Sequence, residues 1–110
     1  MAEQQNVAVT RSAEKDRYEI TAGGEAAGFA EFLDHEERRV FFHTEIDERF
    51  AGRGLASALI ARALELTRAD GRRIVAVCPF VAKYVARHHD FDDILDPATD
   101  DVLAAVRASQ

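Results

Sequence analysis

The sequence is poor in several features, and each shortage excludes a class of protein. A single cysteine excludes an intramolecular disulfide. No apolar run is long enough to cross a membrane, and residues 1–20 contain no apolar signal core, so a cytoplasmic location without a membrane partner is expected. Basic residues number 14 against 20 acidic ones, which argues against a face that wraps nucleic acid.

What the chain does contain is typical of a folded domain. Hydrophobic residues make up 47% and charged residues 31% of the sequence, without a low-complexity tract. This composition is typical of globular and not of disordered proteins. Since 110 residues are too few to stabilise two separate cores, we expect one domain that spans residues 1–110.

Alternation of polar and apolar residues in the first half predicts four short strands in meander order. Residues 7–11 and 17–21 form the first two, joined by the polar turn "SAEKD", and Gly23 with Gly24 marks the next turn. The third and fourth strands are "GFAEFLD" and "RVFFHTEI", separated by the polar turn "HEER". Consecutive strands of such a meander are antiparallel.

The apolar period changes after Gly54, where a long amphipathic helix is predicted. Leu55, Leu59 and Ala63 recur at helical spacing, and Gly71 ends the pattern. The run "IVAV" then predicts a fifth strand buried on both faces. Pro79 can open a second helix, because a proline in the first helical position loses no hydrogen bond.

These elements together define the expected fold class, a mixed α/β sheet. Four mostly antiparallel strands are followed by a crossover helix, which makes the fourth and fifth strands parallel. A second helix follows the fifth strand, and a short terminal helix is predicted from Thr99 or Asp100 through Val106. The aspartates near its start suit the helix dipole.

No metal site is expected. The acidic stretch near the carboxyl end lacks the glycine and the closing glutamate of an EF-hand loop. His88 and His89 are adjacent on a helix, so their side chains point about 100° apart and do not readily share one ion. Lys83 and Arg87 share a helical face that can meet either phosphate groups of a ligand or solvent, and solvent is the expected surrounding.

The stretch "AGRGLAS" before the long helix predicts an anion-binding site. Unpaired backbone N–H groups and the positive end of the helix dipole meet there. Gly52 and Gly54 let the backbone approach a phosphate, and Arg53 adds a fixed positive charge. Two glycines are equally typical of a tight turn at a helix start, and the residues alone leave that alternative open.

Three ordered blocks, "FFHTEI", "GRGLAS" and "CPFVAKYVARH", resemble the GNAT superfamily of acetyltransferases, in particular its minimal single-domain N-acetyltransferases. The resemblance covers nearly the whole chain and implies acetyl-CoA as co-substrate. It implies that main-chain groups bind the pyrophosphate at Gly52, Arg53, Gly54, Leu55, Ala56 and Ser57. It also implies that the fourth and fifth strands splay and that pantetheine bonds the fourth strand at Thr44, Glu45 and Ile46.

One position departs from the family pattern. Ala51 stands where a glutamine or arginine is usual. Arg49 can supply the missing charge from a nearby position, or the backbone and Arg53 can hold the pyrophosphate alone.

Three side chains are candidates for the transfer chemistry. His43 is a candidate base, because imidazole accepts a proton near neutral pH. Cys78 and Tyr84 are candidate acids on the resemblance, and Cys78 is also a candidate acyl carrier. Each has a structural alternative: a small core residue for Cys78, helix packing for Tyr84, and partial burial for His43, because strict alternation puts it on the same strand face as Phe41.

The resemblance implies an N-acetyltransferase that transfers an acetyl group directly to a primary amine. We expect the acceptor to be a small-molecule amine or a basic peptide, and no oligomeric state is predicted. A non-catalytic domain that binds coenzyme A or another protein is the alternative.

Overall fold

The computed structural model of the protein describes residues 6–12 and 14–110. The strands are β1 Val7–Ser12, β2 Arg17–Ala22, β3 Glu25–His35, β4 Arg38–Ile46, β5 Arg73–Ala76 and β6 Leu95–Asp96. The helices are α1 Leu55–Ala69, α2 Pro79–Arg87 and α3 Asp100–Ser109, with short 3-10 helices at Glu48–Phe50 and His89–Ile94.

Within the described residues, the strands form one six-stranded sheet in chain order. Strands β1 to β4 are antiparallel neighbours, whereas β4, β5 and β6 are parallel. The predicted fold class and the parallel fifth strand are therefore confirmed. Pro79 is the first residue of α2, also as predicted. Ala13 of the predicted first turn lies outside the described residues.

Three details of the sheet differ from the prediction. Strand β3 begins three residues early, at Glu25, because the tight turn at Gly23 and Gly24 lets pairing resume at once. The turn between β3 and β4 is only Glu36 and Glu37, since His35 and Arg38 already pair. Strand β6 was not predicted, because two residues carry no periodic signal.

Helices α1 and α2 cover one face of the sheet, here called the helix face, and build the main core with it. The predicted stripe of α1 is buried there, as are the even-numbered residues of β2. Large members of this core are Tyr18, Ile20, Phe32, Phe41, Leu59, Leu64 and Ile74.

Helix α3 covers part of the opposite face, where Val102 packs against Val40 and Val75. The first turn of α3 is tied to the sheet by Asp101, which accepts hydrogen bonds from Arg38 at 3.3 Å and pairs with His35 at 3.1 Å. The rest of this face, formed by β1, β2 and the ends of β3 and β4, bears polar side chains. We call it the open face.

A β-bulge divides β4 into two halves. Phe41 pairs with Phe32 and His43 pairs with Glu31, so Phe42 is an extra residue without a partner on β3. One extra residue turns the following side chains to the other face. Phe41 is buried on the helix face, whereas His43 is exposed on the open face. The expectation that both share one face was therefore wrong.

Buried Arg39 joins β4 to three other elements. It donates to Asp34 on β3 at 2.8 and 3.1 Å, to Asp70 after α1 at 2.9 Å, and to the Tyr18 hydroxyl on β2 at 2.7 Å. Burial alone raises the pKa of Asp34, but the hydrogen bonds and charge of Arg39 outweigh it and hold that pKa below its usual value. This charged network fixes the paired half of β4 against α1.

No helix of the described residues is long and apolar enough to span a membrane.

Candidate active site

The site begins where β4 and β5 part. Strand β5 pairs with β4 only as far as Phe41, whose carbonyl oxygen accepts from the N–H groups of Val77 at 3.0 Å and Cys78 at 2.8 Å. Beyond it β4 continues to Ile46 without a second neighbouring strand in the described part of the chain. Backbone groups on such an edge are available to a ligand. Thr44, Glu45 and Ile46 lie along this gap.

The glycine turn follows the gap. Gly52 and Gly54 have φ angles of 82° and 75°, a left-handed conformation that favours glycine. A Cβ built on either residue meets no atom within 4 Å, so open space surrounds the turn. Gly54 is the N-cap of α1 and no side chain among the described residues caps the helix. The first helical N–H groups therefore have no side-chain cap from the described residues, which leaves them available to an anion.

The two arginines near the turn, Arg49 and Arg53, differ in their ion pairs. Arg49 pairs with Asp47 and Glu25, each at 3.3 Å. Arg53 stacks on the Phe50 ring at 5.2 Å, and no ion pair of it is present among the described residues. Ala51 is exposed in an extended conformation. Of these two arginines, Arg53 is thus the one without an ion pair in the described part of the chain.

A groove of about 210 Å³ runs between the start of α1 and one side of α2. Its lining residues are Ala56, Ser57, Ile60, Phe80, Lys83, Tyr84, Arg87 and His88. Two basic side chains and the uncapped helix start thus line one groove, which makes it positive. Lys83 and Arg87 are exposed, as expected from the sequence, and the structure adds that both line this groove.

Tyr84 is half-buried in this groove. Its ring stacks on His88, with centroids 4.2 Å apart. Burial raises the pKa of the Tyr84 hydroxyl, and the negative charges of Asp90 and Glu65 raise it further. The hydroxyl is therefore protonated at neutral pH and can donate a proton.

Cys78 lies at the base of the gap but is 1% exposed. Its Sγ donates to the hydroxyl of Thr44 at 3.3 Å across the gap. The thiol therefore bridges the end of β5 to β4, and its hydrogen already has a partner.

His43 lies on the other face of β4 from Thr44, with its side chain 47% exposed. Its Nε2 lies 2.8 Å from Oε2 of Glu45, two residues along the same edge. The ring is 6.0 Å from that of Phe29 on β3. A carboxylate hydrogen-bonded to one imidazole nitrogen orients the ring, as a general base requires.

The structure brings the predicted residues to one edge but not to one face. Cys78, Thr44, the glycine turn and Tyr84 lie on the helix face, and His43 and Glu45 lie on the open face. The gap beside β4 connects the two. Sequence reasoning missed Phe29, which lies beside His43, because cross-strand pairing is not visible within one strand.

Residues 17–94, which make up more than half of the chain, match the family described as GCN5-related N-acetyl-transferase. A search of curated proteins gives no match.

Two solved structures are similar in fold. The first is a GCN5-like candidate N-acetyltransferase from Staphylococcus aureus, at 15% identity and a TM-score of 0.64, with 86% of this chain and 93% of that chain covered. The second is the ribosomal-protein-S18-alanine N-acetyltransferase from Escherichia coli, at 19% identity and a TM-score of 0.51, with 57% of this chain covered. This match spans only 41% of the Escherichia coli protein. At these identities the likeness concerns the fold.

Proposed function

The chain belongs to the GCN5-related N-acetyltransferase family, and from this premise we propose that it transfers an acetyl group from acetyl-CoA directly to a primary amine. The observation that carries the proposal is the gap beside β4, because it joins the uncapped start of α1 on one face to an exposed His43–Glu45 pair on the other. An acetyl donor bound on the helix face then meets an acceptor that approaches from the open face.

The glycine turn binds the pyrophosphate of acetyl-CoA in this proposal. The N–H groups of Leu55, Ala56 and Ser57 have no partner four residues back in the helix, and Arg53 supplies charge. The ion pairs of Arg49 favour Arg53 over Arg49 as the replacement for the usual residue at Ala51. Ser57 leads into the groove, where Lys83 and Arg87 meet further phosphate of the co-substrate.

The main chain at Thr44, Glu45 and Ile46 holds the pantetheine arm, since the amides of pantetheine can hydrogen-bond the unpaired backbone groups along the edge of β4. Acetyl-CoA supplies the thioester that is attacked. His43 accepts the proton that the attacking amine loses, and Glu45 orients the imidazole ring. Tyr84 donates the proton that the leaving sulfur gains. We favour Tyr84 over Cys78 as the acid, because the hydrogen of the Cys78 thiol is directed at Thr44.

A non-catalytic coenzyme A-binding domain is the second candidate. Two observations favour it: Ala51 provides no charge at its position in the turn, and Cys78 is buried with a satisfied thiol. Binding of acetyl-CoA is common to both candidates, so transfer has to be tested separately from binding.

Binding is tested with two variants that differ only in charge, Gly54→Asp and Gly54→Asn. Both residues tolerate the left-handed conformation and cap helices well, so both should fold. A carboxylate about 5 Å from the pyrophosphate costs roughly 1–2 kcal/mol at an intermediate dielectric. In calorimetric titrations with acetyl-CoA, we expect Gly54→Asp to bind about tenfold more weakly than Gly54→Asn. Equal affinity would remove the pyrophosphate from this turn, and no binding by the wild type contradicts the proposal.

Transfer is tested with His43→Gln, Tyr84→Phe and Cys78→Ser. We expect the first two to lose on the order of a hundredfold or more in turnover with acetyl-CoA affinity retained, as is typical of lost acid or base groups. Cys78→Ser keeps a donor to Thr44 and should retain most activity. A Cys78→Ser enzyme as impaired as Tyr84→Phe would return the acid or acyl-carrier role to Cys78. Turnover that is absent from the wild type favours the binding domain.

A further inference from the structure

A second cavity, of about 350 Å³, lies on the open face between β2, β3 and the end of β4. A bulge opens it: Ile20 pairs with Gly28 and Thr21 with Ala26, so Ala27 is an extra residue on β3. The charged residues of its lining are Arg17, Glu19, Glu45 and Asp47. Three carboxylates and one guanidinium give these walls a formal charge of −2.

The cavity is continuous with the proposed base, because Glu45 belongs to both. Glu45 is a lining residue of the cavity, and its Oε2 lies 2.8 Å from Nε2 of His43. Glu19, Phe29 and Glu45 are cross-strand neighbours in one row of the sheet. Strands lie about 4.8 Å apart, so the carboxylates at the two ends of the row stand on the order of 10 Å apart with an aromatic ring between them.

The guanidinium of Arg17 already stacks on the ring of Phe29. The Cζ of Arg17 lies 4.3 Å from the centroid of Phe29, and its Nε donates to Glu19 at 2.8 Å. Phe29 and Glu19 thus form a receptor for a positive group, which the chain fills with its own guanidinium. Asp47 accepts from the backbone and side chain of Arg49, and these bonds hold its pKa below the usual value, so it is ionised too.

We propose that this cavity selects a linear aliphatic diamine as the acetyl acceptor, with the reacting amine at His43 and Glu45 and the second ammonium at Glu19 and Phe29, in place of Arg17. The inference rests on the proposed function. The net negative charge of the walls favours a cationic acceptor, and the volume is at the small end of small-molecule sites, which favours a diamine over a peptide chain. After transfer the acceptor keeps one charge and binds less well.

The first experiment measures binding without any chemistry. Octane-1,8-diamine (diaminooctane) can span the row and is titrated calorimetrically into the full chain. Two control ligands are titrated in the same way. Butane-1,4-diamine (diaminobutane) is too short to span the row, and monoacetylated diaminooctane has a similar length but only one charge. We expect diaminooctane to bind at least tenfold more tightly than either. Equal affinities overturn the proposal, as does tighter binding of a lysine-rich peptide.

The second experiment uses Glu19→Gln, with Glu37→Gln at the opposite end of the sheet as a matched loss of charge. Glu19→Gln should raise the KM for diaminooctane about tenfold with kcat and acetyl-CoA affinity retained, and Glu37→Gln should not. Arg17→Gln, which vacates the ring, should strengthen diaminooctane binding several-fold more than monoamine binding. A KM unaffected by Glu19→Gln overturns the diamine alone, whereas failure to bind acetyl-CoA contradicts the proposed function.

Discussion

Two arginines make nearly the same contacts on opposite faces of the sheet. Arg39 stacks over Phe32 at 4.5 Å and donates to carboxylates, and Arg17 stacks over Phe29 at 4.3 Å and donates to a carboxylate. The difference between them is burial: Arg39 is 2% exposed and Arg17 is 22% exposed.

Burial changes what the same motif does. Because Arg39 is shielded from water, its charge is stabilised by Asp34, Asp70 and Tyr18 instead of by solvent. These hydrogen bonds hold β2, β3 and the end of α1 against β4. Arg17 keeps access to solvent and has one carboxylate partner, so another cation can replace it at low cost. The comparison thus separates a structural charge on the helix face from an exchangeable one on the open face.

The largest effect on stability is expected from replacing Arg39, the buried arginine. Arg39→Met removes a charged donor from Asp34, Asp70 and the Tyr18 hydroxyl, and should lower the free energy of unfolding by about 3 kcal/mol. This is at the low end for a broken buried pair, because both carboxylates are partly exposed. Urea unfolding monitored by circular dichroism measures it.

Arg17→Met is the matched control, since it removes the same group from the other face. It should change the free energy of unfolding by no more than about 0.5 kcal/mol. Comparable losses in both variants would contradict the distinction between the two faces.

An intermediate effect on stability is expected at Gly28 of β3, which pairs with Ile46 near the end of β4. A Cβ there would lie 2.4 Å from the carbonyl oxygen of Glu45 and 2.6 Å from Cδ1 of Ile46. Gly28→Ala should therefore force the strands apart and cost roughly 1–3 kcal/mol in the free energy of unfolding.

Ile46→Val tests this contact, because it removes only the Cδ1 atom. In a double-mutant cycle, the Gly28→Ala, Ile46→Val protein should be more stable than the sum of the single changes predicts. Strict additivity would mean that the side-chain contact is not the cause of the loss.

The smallest effect is expected at Asp101, which connects the first turn of α3 to His35 and Arg38 of the sheet. Hydrogen bonds from Thr99 and His35, with the charge of Arg38, lower the pKa of Asp101 from 3.8 to about 2. A lowered pKa stabilises the fold above the unfolded pKa, and this contribution is lost as pH falls through about 2. Asp101→Asn should thus lower the unfolding midpoint slightly at neutral pH.

The difference between wild type and Asp101→Asn should persist down to about pH 4 and shrink below it. Urea midpoints measured from neutral pH to the acid limit of folding give this profile. Asp100→Asn, also in the first turn of α3, shares the helix-dipole contribution and is the control. An identical profile for both variants would remove the specific role of Asp101.

Much of the fold was predictable, because it depends on local periodicity. The stripe of α1, its glycine start and its end near Gly71 come from residues within a few positions of one another. The parallel pairing of β4 and β5 followed from the crossover helix alone. The residues along the candidate site were named from the family resemblance, and their roles stay predictions.

The face that each candidate presents was not predictable. His43 turned to the open face because Phe42 is an extra residue relative to β3, and a bulge depends on how two strands pair. Arg39 gave no sign of burial, because its partners come from β3, β2 and the end of α1. Phe29 and Glu19 joined the site only through cross-strand register.

By itself, then, the sequence determined the order of β1 to β5 and of the three helices, and the glycine turn "AGRGLAS" at the start of α1, because helix starts and left-handed glycines are local properties of the backbone. Tertiary structure alone decided that Cys78 and Tyr84 lie on one side of the gap and His43 on the other. The physical reason is that strand pairing and burial act between distant residues, and no pattern within a single strand or helix records them.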